Sequence, residues 1–161
     1  MGLISLYHKE RRDFLKDNNL CECIVNIEKH LRKVDYIIRL KGREILNDFN
    51  ITIPQFTALQ ILIYNGELTI GELSQKMALA CSTITDLIDR MEKAQLVVRK
   101  KDEKDKRIVR IEVLPIGHEI VKKVLEKRVK FLESKMINLD DKEKNSLSKG
   151  LESLYNVMKE D

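Results

Sequence analysis

The chain has 161 residues, 43% hydrophobic and 35% charged, a balance that excludes disorder and fits a globular protein rich in surface helix. Two prolines, six glycines and no tryptophan imply a mainly helical chain with few elaborate loops, and the formal charge of +4 is mild. No apolar run reaches the length of a membrane span, no N-terminal segment reads as a secretion signal, and an odd cysteine count speaks against a disulfide framework, so a cytoplasmic protein without a membrane partner is expected.

Residues 1–19 read as a charged, polar arm. Ile24, Ile27, Leu31, Val34, Ile38 and Ile45 fall close to a heptad spacing and predict a long helix from about Ile24 to Asp48. Lys41 and Gly42 interrupt the seam, which suits a bundle or dimer better than an extended coiled coil. Asn50 ends the pattern. Thr52-Ile53-Pro54-Gln55 restarts a helix, because proline suits a first turn and Thr52 with Gln55 can form a capping box. Phe56, Leu59 and Ile63 are its expected inner face, and Asn65-Gly66 its end.

Thr69 to Glu72 is a second capping box, opening a short helix with Ile70, Leu73 and Met77 inward. After the turn Ala78-Leu79-Ala80, another helix is predicted from about Ser82 to Ala94. Its apolar stripe is Ile84, Leu87, Ile88 and Met91, spaced i, i+3, i+4, i+7. The opposite face carries Ser82, Thr85, Asp86, Asp89 and Lys93, flanked by Thr83 and Arg90.

Leu96-Val97-Val98 and residues 108–113 are β-branched runs separated by a charged turn, hence a two-stranded hairpin. From Lys93 to Arg110, eight basic residues stand against three acidic ones, a local excess of five that leaves the rest of the chain about neutral. Such localisation points to a polyanionic partner, with a merely solvated hairpin as the other reading of the charge run. Pro115-Ile116-Gly117 leads into a long helical region with Ile120, Val121, Val124, Leu125 and Leu132 on its apolar side. Asp140 and Glu143 cap a last helix carrying Leu147, Leu151, Leu154 and Met158. In a monomer these terminal helices would expose apolar stripes, so burial against a second copy is the economical arrangement.

Helix, turn, helix and basic hairpin in that order make a winged module suited to duplex DNA. Its second helix enters the major groove, where Ser82, Thr83 and Thr85 can exchange hydrogen bonds with bases and phosphates and threonine methyls can pack on thymine. The cationic tip of the hairpin, with Lys104, Lys106 and Arg107, can follow the backbone or enter the minor groove.

Leu73-Ser74-Gln75-Lys76-Met77, then Ser82 through Lys93, then Leu96-Val97-Val98-Arg99, Asp105-Lys106-Arg107 and Val113-Leu114 before Gly117, together resemble the core of the MarR family of bacterial winged-helix transcription regulators. The resemblance covers roughly Ile51 to Ile120 by motif and the remainder by helix order. It implies a homodimer with interlocked terminal helices on a palindromic operator. It also implies that Asp105 orients Arg107 toward the minor groove, and that Arg99 is the basic residue of the first wing strand. The chain departs from the family pattern at Gln95, where glycine is usual after the recognition helix. Ala80-Cys81 stands in place of a serine-proline opening, and Pro115 in place of a capping threonine. Asp86 occupies a position that is often basic; phosphate repels its carboxylate unless it accepts from a cytosine amino group.

Cys21 and Cys23, near the start of the first helix, and Cys81, at a helix N-terminus, are redox candidates; some relatives resembling the peroxide sensors use a reactive cysteine near the start of that first helix. Ordinary small residues at helix starts are the other reading. Tyr36 and Phe56 are candidates for a crevice in which relatives bind small aromatic or amphipathic effectors, with core packing as the alternative. His8, His30 and His118 are dispersed, so no metal is expected. No nucleophile-elbow, phosphate-loop or dinucleotide-binding glycine pattern occurs, so neither enzyme nor cofactor is expected.

The fold class is therefore mainly α with a small β-hairpin wing: a winged helix-turn-helix plus N- and C-terminal helical dimerisation regions. The expected domains are 1–50, arm and dimerisation helix; 51–114, DNA-binding domain; and 115–161, dimerisation helices. The expected function is a sequence-specific dimeric transcription regulator, a repressor released by a small ligand or by thiol oxidation. The DNA-reading set is Ser82, Thr83, Thr85, Asp86, Arg90, Arg99, Lys104, Asp105, Lys106 and Arg107. The alternative is a winged-helix module that binds protein, supported by the exposed acids Asp86 and Asp89.

Overall fold

The structure is a computed structural model and describes residues 21–159; the polar arm expected at residues 1–19 lies outside them. The chain divides into two units, one ending at Arg43 and the other beginning at Glu44. Helix α1 (Glu22–Asn47) supplies the described part of the first. The Cys21 carbonyl accepts the first helical bonds, from the Ile24 and Val25 amides. Gly42 does not break the helix. Ile24, Ile27, Leu31, Val34 and Leu40 remain exposed along it. Elsewhere on its surface Arg32 pairs with Glu28 and Arg39 with Asp35, the i, i+4 spacing that supports an exposed helix.

The second unit holds the core. It begins with the last turn of α1, where Ile45 and Leu46 are buried, and continues through α2 (Ile53–Asn65), α3 (Ile70–Met77), α4 (Cys81–Lys93), β1 (Val97–Lys101), β2 (Val109–Val113), α5 (Pro115–Lys135) and α6 (Asp141–Met158). Both expected capping boxes form: Thr52 accepts from the Gln55 amide and Thr69 from the Glu72 amide, while each partner side chain returns to the cap backbone. Helix α2 is the hub, packed by α3, α4, α5 and β2. Its buried side chains are Phe56, Ala58, Leu59 and Leu62; Ile63, expected inward, is exposed in the last turn. Neighbours on several sides bury a wide arc of α2, and at its end Leu62 covers the core instead.

Strands β1 and β2 pair antiparallel, from Val97 opposite Val113 to Lys101 opposite Val109. The first strand therefore runs past the apolar Leu96–Val98 segment through Arg99, Lys100 and Lys101, because ladder bonding to Val109-Arg110-Ile111 overrides the charged composition. A bridge at Leu68 adds a third contact, the Ile111 amide donating to the Leu68 carbonyl at 2.7 Å.

Three helices end alike. After α1, α3 and α4, the amides of Ile51, Leu79 and Leu96 reach back to the carbonyls of Leu46, Ser74 and Met91. The preceding residues Asn50, Ala78 and Gln95 sit at φ +56°, +51° and +57°. This is the Schellman reversal, usually served by glycine. Gln95 thus takes the left-handed backbone that the turn after α4 demands. Gly117 answers a different need. A Cβ there would lie 2.7 Å from both the Leu96 carbonyl oxygen and Val113 Cγ1, so only glycine lets α5 close onto the hairpin base.

Two substitutions should move stability in opposite directions in urea or thermal unfolding. Gln95→Gly removes the left-handed penalty and, net of glycine's extra chain entropy, should stabilise by about 0.5–1 kcal/mol. Gly117→Ala should destabilise by about 1–3 kcal/mol through overpacking against main chain; a neutral Gly117→Ala would contradict the close approach.

Candidate nucleic-acid interface

Helix α4 is anchored by Ile84, Leu87, Ile88 and Met91, all buried, which leaves Ser82, Thr83, Thr85, Asp86 and Arg90 exposed on the other side. Its N-cap, Ala80, offers no side-chain bond. Thr85 Oγ1 donates to the Cys81 carbonyl at 2.9 Å, so that hydroxyl keeps only acceptor capacity and its methyl for an outside partner. Arg90 Nε donates to the Asp86 carbonyl at 3.1 Å.

The hairpin is tied to this helix by Arg99. Its guanidinium donates to Asp89 at 2.5 Å and to Glu92 at 2.7 Å, and its amide donates to Glu92 Oε1 at 3.0 Å. Partial burial costs the guanidinium hydration and works to lower its pKa; the bonds to Asp89 and Glu92 outweigh this and raise it above the ordinary arginine value. Arg99 therefore joins the strand to α4, and Asp89 is not a free acid on the exposed face.

At the wing tip Asp105 takes three bonds from Arg107: from Nε at 3.0 Å, from Nη2 at 2.9 Å and from the amide at 3.0 Å. These bonds hold the Asp105 carboxyl below its ordinary range. The Arg107 side chain is nonetheless 90% exposed, so its guanidinium is aimed by one face and open on the other. Lys104 and Lys106 are exposed beside it.

The residue that organises this tip is Asp102, which does not stand out in the sequence as a candidate. Asp102 accepts from the amides of Lys104 and Asp105 at 2.9 and 3.1 Å, and from Arg110 Nε across the hairpin at 2.6 Å. The Arg110 bond first, then the two amides, hold its pKa down to about 2. Arg110 also lies 3.8 Å from Glu72, the capping-box acid of α3. An aspartate opening a polar turn, with amides two and three residues on, is a recognisable signal; its cross-strand arginine is visible only once the register is known. Lys100 pairs with Glu112 on the facing strand. Lys93, Lys101, Lys104 and Lys106 make no ion pair among the described residues.

The other candidates fall in both units. Cys21, Cys23 and Cys81 are free and exposed, the last as the first residue of α4. Tyr36 is exposed on α1, in the unit ending at Arg43, and Phe56 is a core residue of the other unit. Among the described residues no cluster of histidine, cysteine or acidic side chains could hold a metal, and no helix is long and apolar enough to cross a membrane.

Residues 51–109 match the family model described as the MarR family. The uncharacterised HTH-type transcriptional regulator YsmB of Bacillus subtilis is 51% identical over 138 residues, covering 86% of this chain and 94% of its own length. A solved structure of a MarR family protein from Bacillus stearothermophilus superposes with a TM-score of 0.77 at 44% identity, over 85% of this chain and 96% of its own. The organic hydroperoxide resistance transcriptional regulator of B. subtilis is 30% identical over 101 residues, 63% of this chain and 64% of its own length.

Asp102→Ala should loosen the wing tip, speeding amide exchange at Lys104 and Asp105 on the order of tenfold. Asp102→Asn keeps an acceptor for those amides and should restore much of the protection. Because the folded pKa is depressed, the clamp is complete above about pH 4 and is lost as pH falls through about 2. Unchanged exchange in Asp102→Ala at neutral pH would remove Asp102 from this role.

Proposed function

The chain belongs to the MarR family of winged-helix, DNA-binding transcriptional regulators, and from that premise we propose that it acts as a homodimer on a palindromic operator, as a repressor released by a small ligand or by thiol oxidation. The observation that carries the DNA reading is the wing: an exposed arginine held by Asp105, on a hairpin bound through Arg99 to a helix whose outer face is hydroxyl-rich. In this reading Ser82, Thr83, Thr85, Asp86 and Arg90 meet the major groove. Arg107, with Lys104 and Lys106, meets the minor groove or backbone.

The dimer is supported by the apolar residues left uncovered at the chain's two ends: Ile24, Ile27 and Val34 on α1, and Leu147, Leu151 and Tyr155 on α6. Residues 1–50 and 115–161 would then be the dimerisation regions. Two reading heads must sit one or more duplex turns apart, about 34 Å per turn, so an effector that alters their spacing releases DNA without touching the reading face. Thiol oxidation is supported by three exposed cysteines and by likeness to a regulator named for organic hydroperoxide resistance. Such a protein works in the cytoplasm, beside its DNA.

The test is a mobility shift on the chain's own upstream DNA across a salt series, with unrelated duplex as competitor. A specific complex that weakens steeply with salt is expected, and Arg107→Ala should weaken it about tenfold while flattening the salt slope. No specific complex, or one indifferent to Arg107→Ala, would overturn the reading. Peroxide and small aromatic acids, added to the complex, then report on release.

A further inference from the structure

We propose that Asp86 is a specificity-determining residue, its carboxylate accepting a hydrogen bond from the amino group of a cytosine in each operator half-site; this rests on the DNA-binding reading above. Asp86 lies one turn after Ser82, opposite the buried stripe of Ile84, Leu87, Ile88 and Met91, and is exposed at the centre of the face that α4 presents outward. The other two carboxylates beyond the middle of α4 are already taken, Asp89 and Glu92 both by Arg99. Asp86 has no ion pair among the described residues. Its nearest cation along the helix, Arg90, directs Nε to the Asp86 main-chain carbonyl.

An uncompensated negative charge at the middle of a surface that approaches a polyanion weakens binding to any duplex. The charge becomes favourable only where the groove offers a donor. The major groove offers two, the cytosine N4 and adenine N6 amino groups. Adenine N7 lies beside N6 and is itself an acceptor, which suits an amide and repels a carboxylate. The cytosine amino group is flanked by the C5 hydrogen on its own base and meets an acceptor, the paired guanine O6, on one side only, whereas adenine N6 lies between N7 and the paired thymine O4. Asp86 therefore discriminates by exclusion as well as attraction: it repels where the donor is absent. Thr85 cannot substitute as an acidic reader, and its hydroxyl proton is engaged by the Cys81 carbonyl.

The experiment is selection from a randomised duplex pool with the full-length protein, its Asp86→Ala variant and its Asp86→Asn variant. The side chain is exposed and makes no bond within the described chain, so all three should melt alike. The wild-type protein should select a palindrome with cytosine fixed at one position per half-site, and changing that base should cost about tenfold in affinity. Asp86→Ala should lose that preference while binding unselected duplex several-fold more tightly, and Asp86→Asn should shift the position toward adenine. The same selected site and the same base tolerance in all three proteins would overturn the inference and leave the regulator reading intact. A wild-type protein that selects no sequence would overturn both.

Discussion

The geometry of the candidate interface depends on the junction between α4 and β1. The helix ends in a left-handed reversal at Gln95, the strand starts at once, and Arg99 then reaches back to the helix it has just left. One guanidinium binds two carboxylates on consecutive turns of α4, while the same residue's amide binds one of them. The planar, five-donor fork of arginine suits this; the ammonium of lysine would not hold both acids and the strand in one arrangement. With its side chain only 27% exposed, the group is dry enough for direction to matter, and removing Arg99 would leave Asp89 and Glu92 near one another without their counter-charge. The consequence is functional. Helix and wing are held as one piece, so in the proposed reading a duplex would have to fit both together.

The second strand of the wing is fixed by different means. Ile111 is bonded to Leu68, just ahead of α3, and Arg110 connects Asp102 at the tip with the capping acid of that helix. At the base, the absence of a side chain at Gly117 brings α5 against the Leu96 carbonyl and Val113. The hairpin is thus held on one side through α4 and on the other through α3 and α5, around a core centred on α2. The turn beyond Asp102 is held instead by bonds within the hairpin, from the Lys104 and Asp105 amides to Asp102 and from Arg107 to Asp105.

Most of this fold was legible in the sequence because its signals are local. Capping boxes at Thr52 and Thr69, the apolar stripe of α4 and the glycine stop after Asn65 each depend on residues within a turn or two of one another. Local signals do not reach the places where a distant partner decides. Arg99 to Lys101 look like loop until Val109 to Ile111 lie alongside, and Ile63 looks buried until the packing around α2 shows that Leu62 fills its place. The same division holds at the interface. The Asp105–Arg107 pair followed from family resemblance and spans two residues, whereas the ties from Arg99 to Asp89 and Glu92, and from Arg110 to Asp102, cross from one element to another.

Charge counting alone misdescribes this surface. Of the eight basic residues between Lys93 and Arg110, four have their charge met within the protein: Arg99, Lys100, Arg107 and Arg110. The four that make no ion pair among the described residues are lysines, whose long and flexible stems suit sequence-independent contact with phosphate. The arginines, with fixed donor geometry, are the ones oriented by carboxylates. The hairpin's acids therefore lower its raw attraction for a polyanion while fixing the direction in which one guanidinium points. Affinity that depends on direction discriminates between grooves of different width and potential, whereas affinity that depends on total charge does not. A wing with the same lysines but no Asp102 or Asp105 would carry more charge and less information.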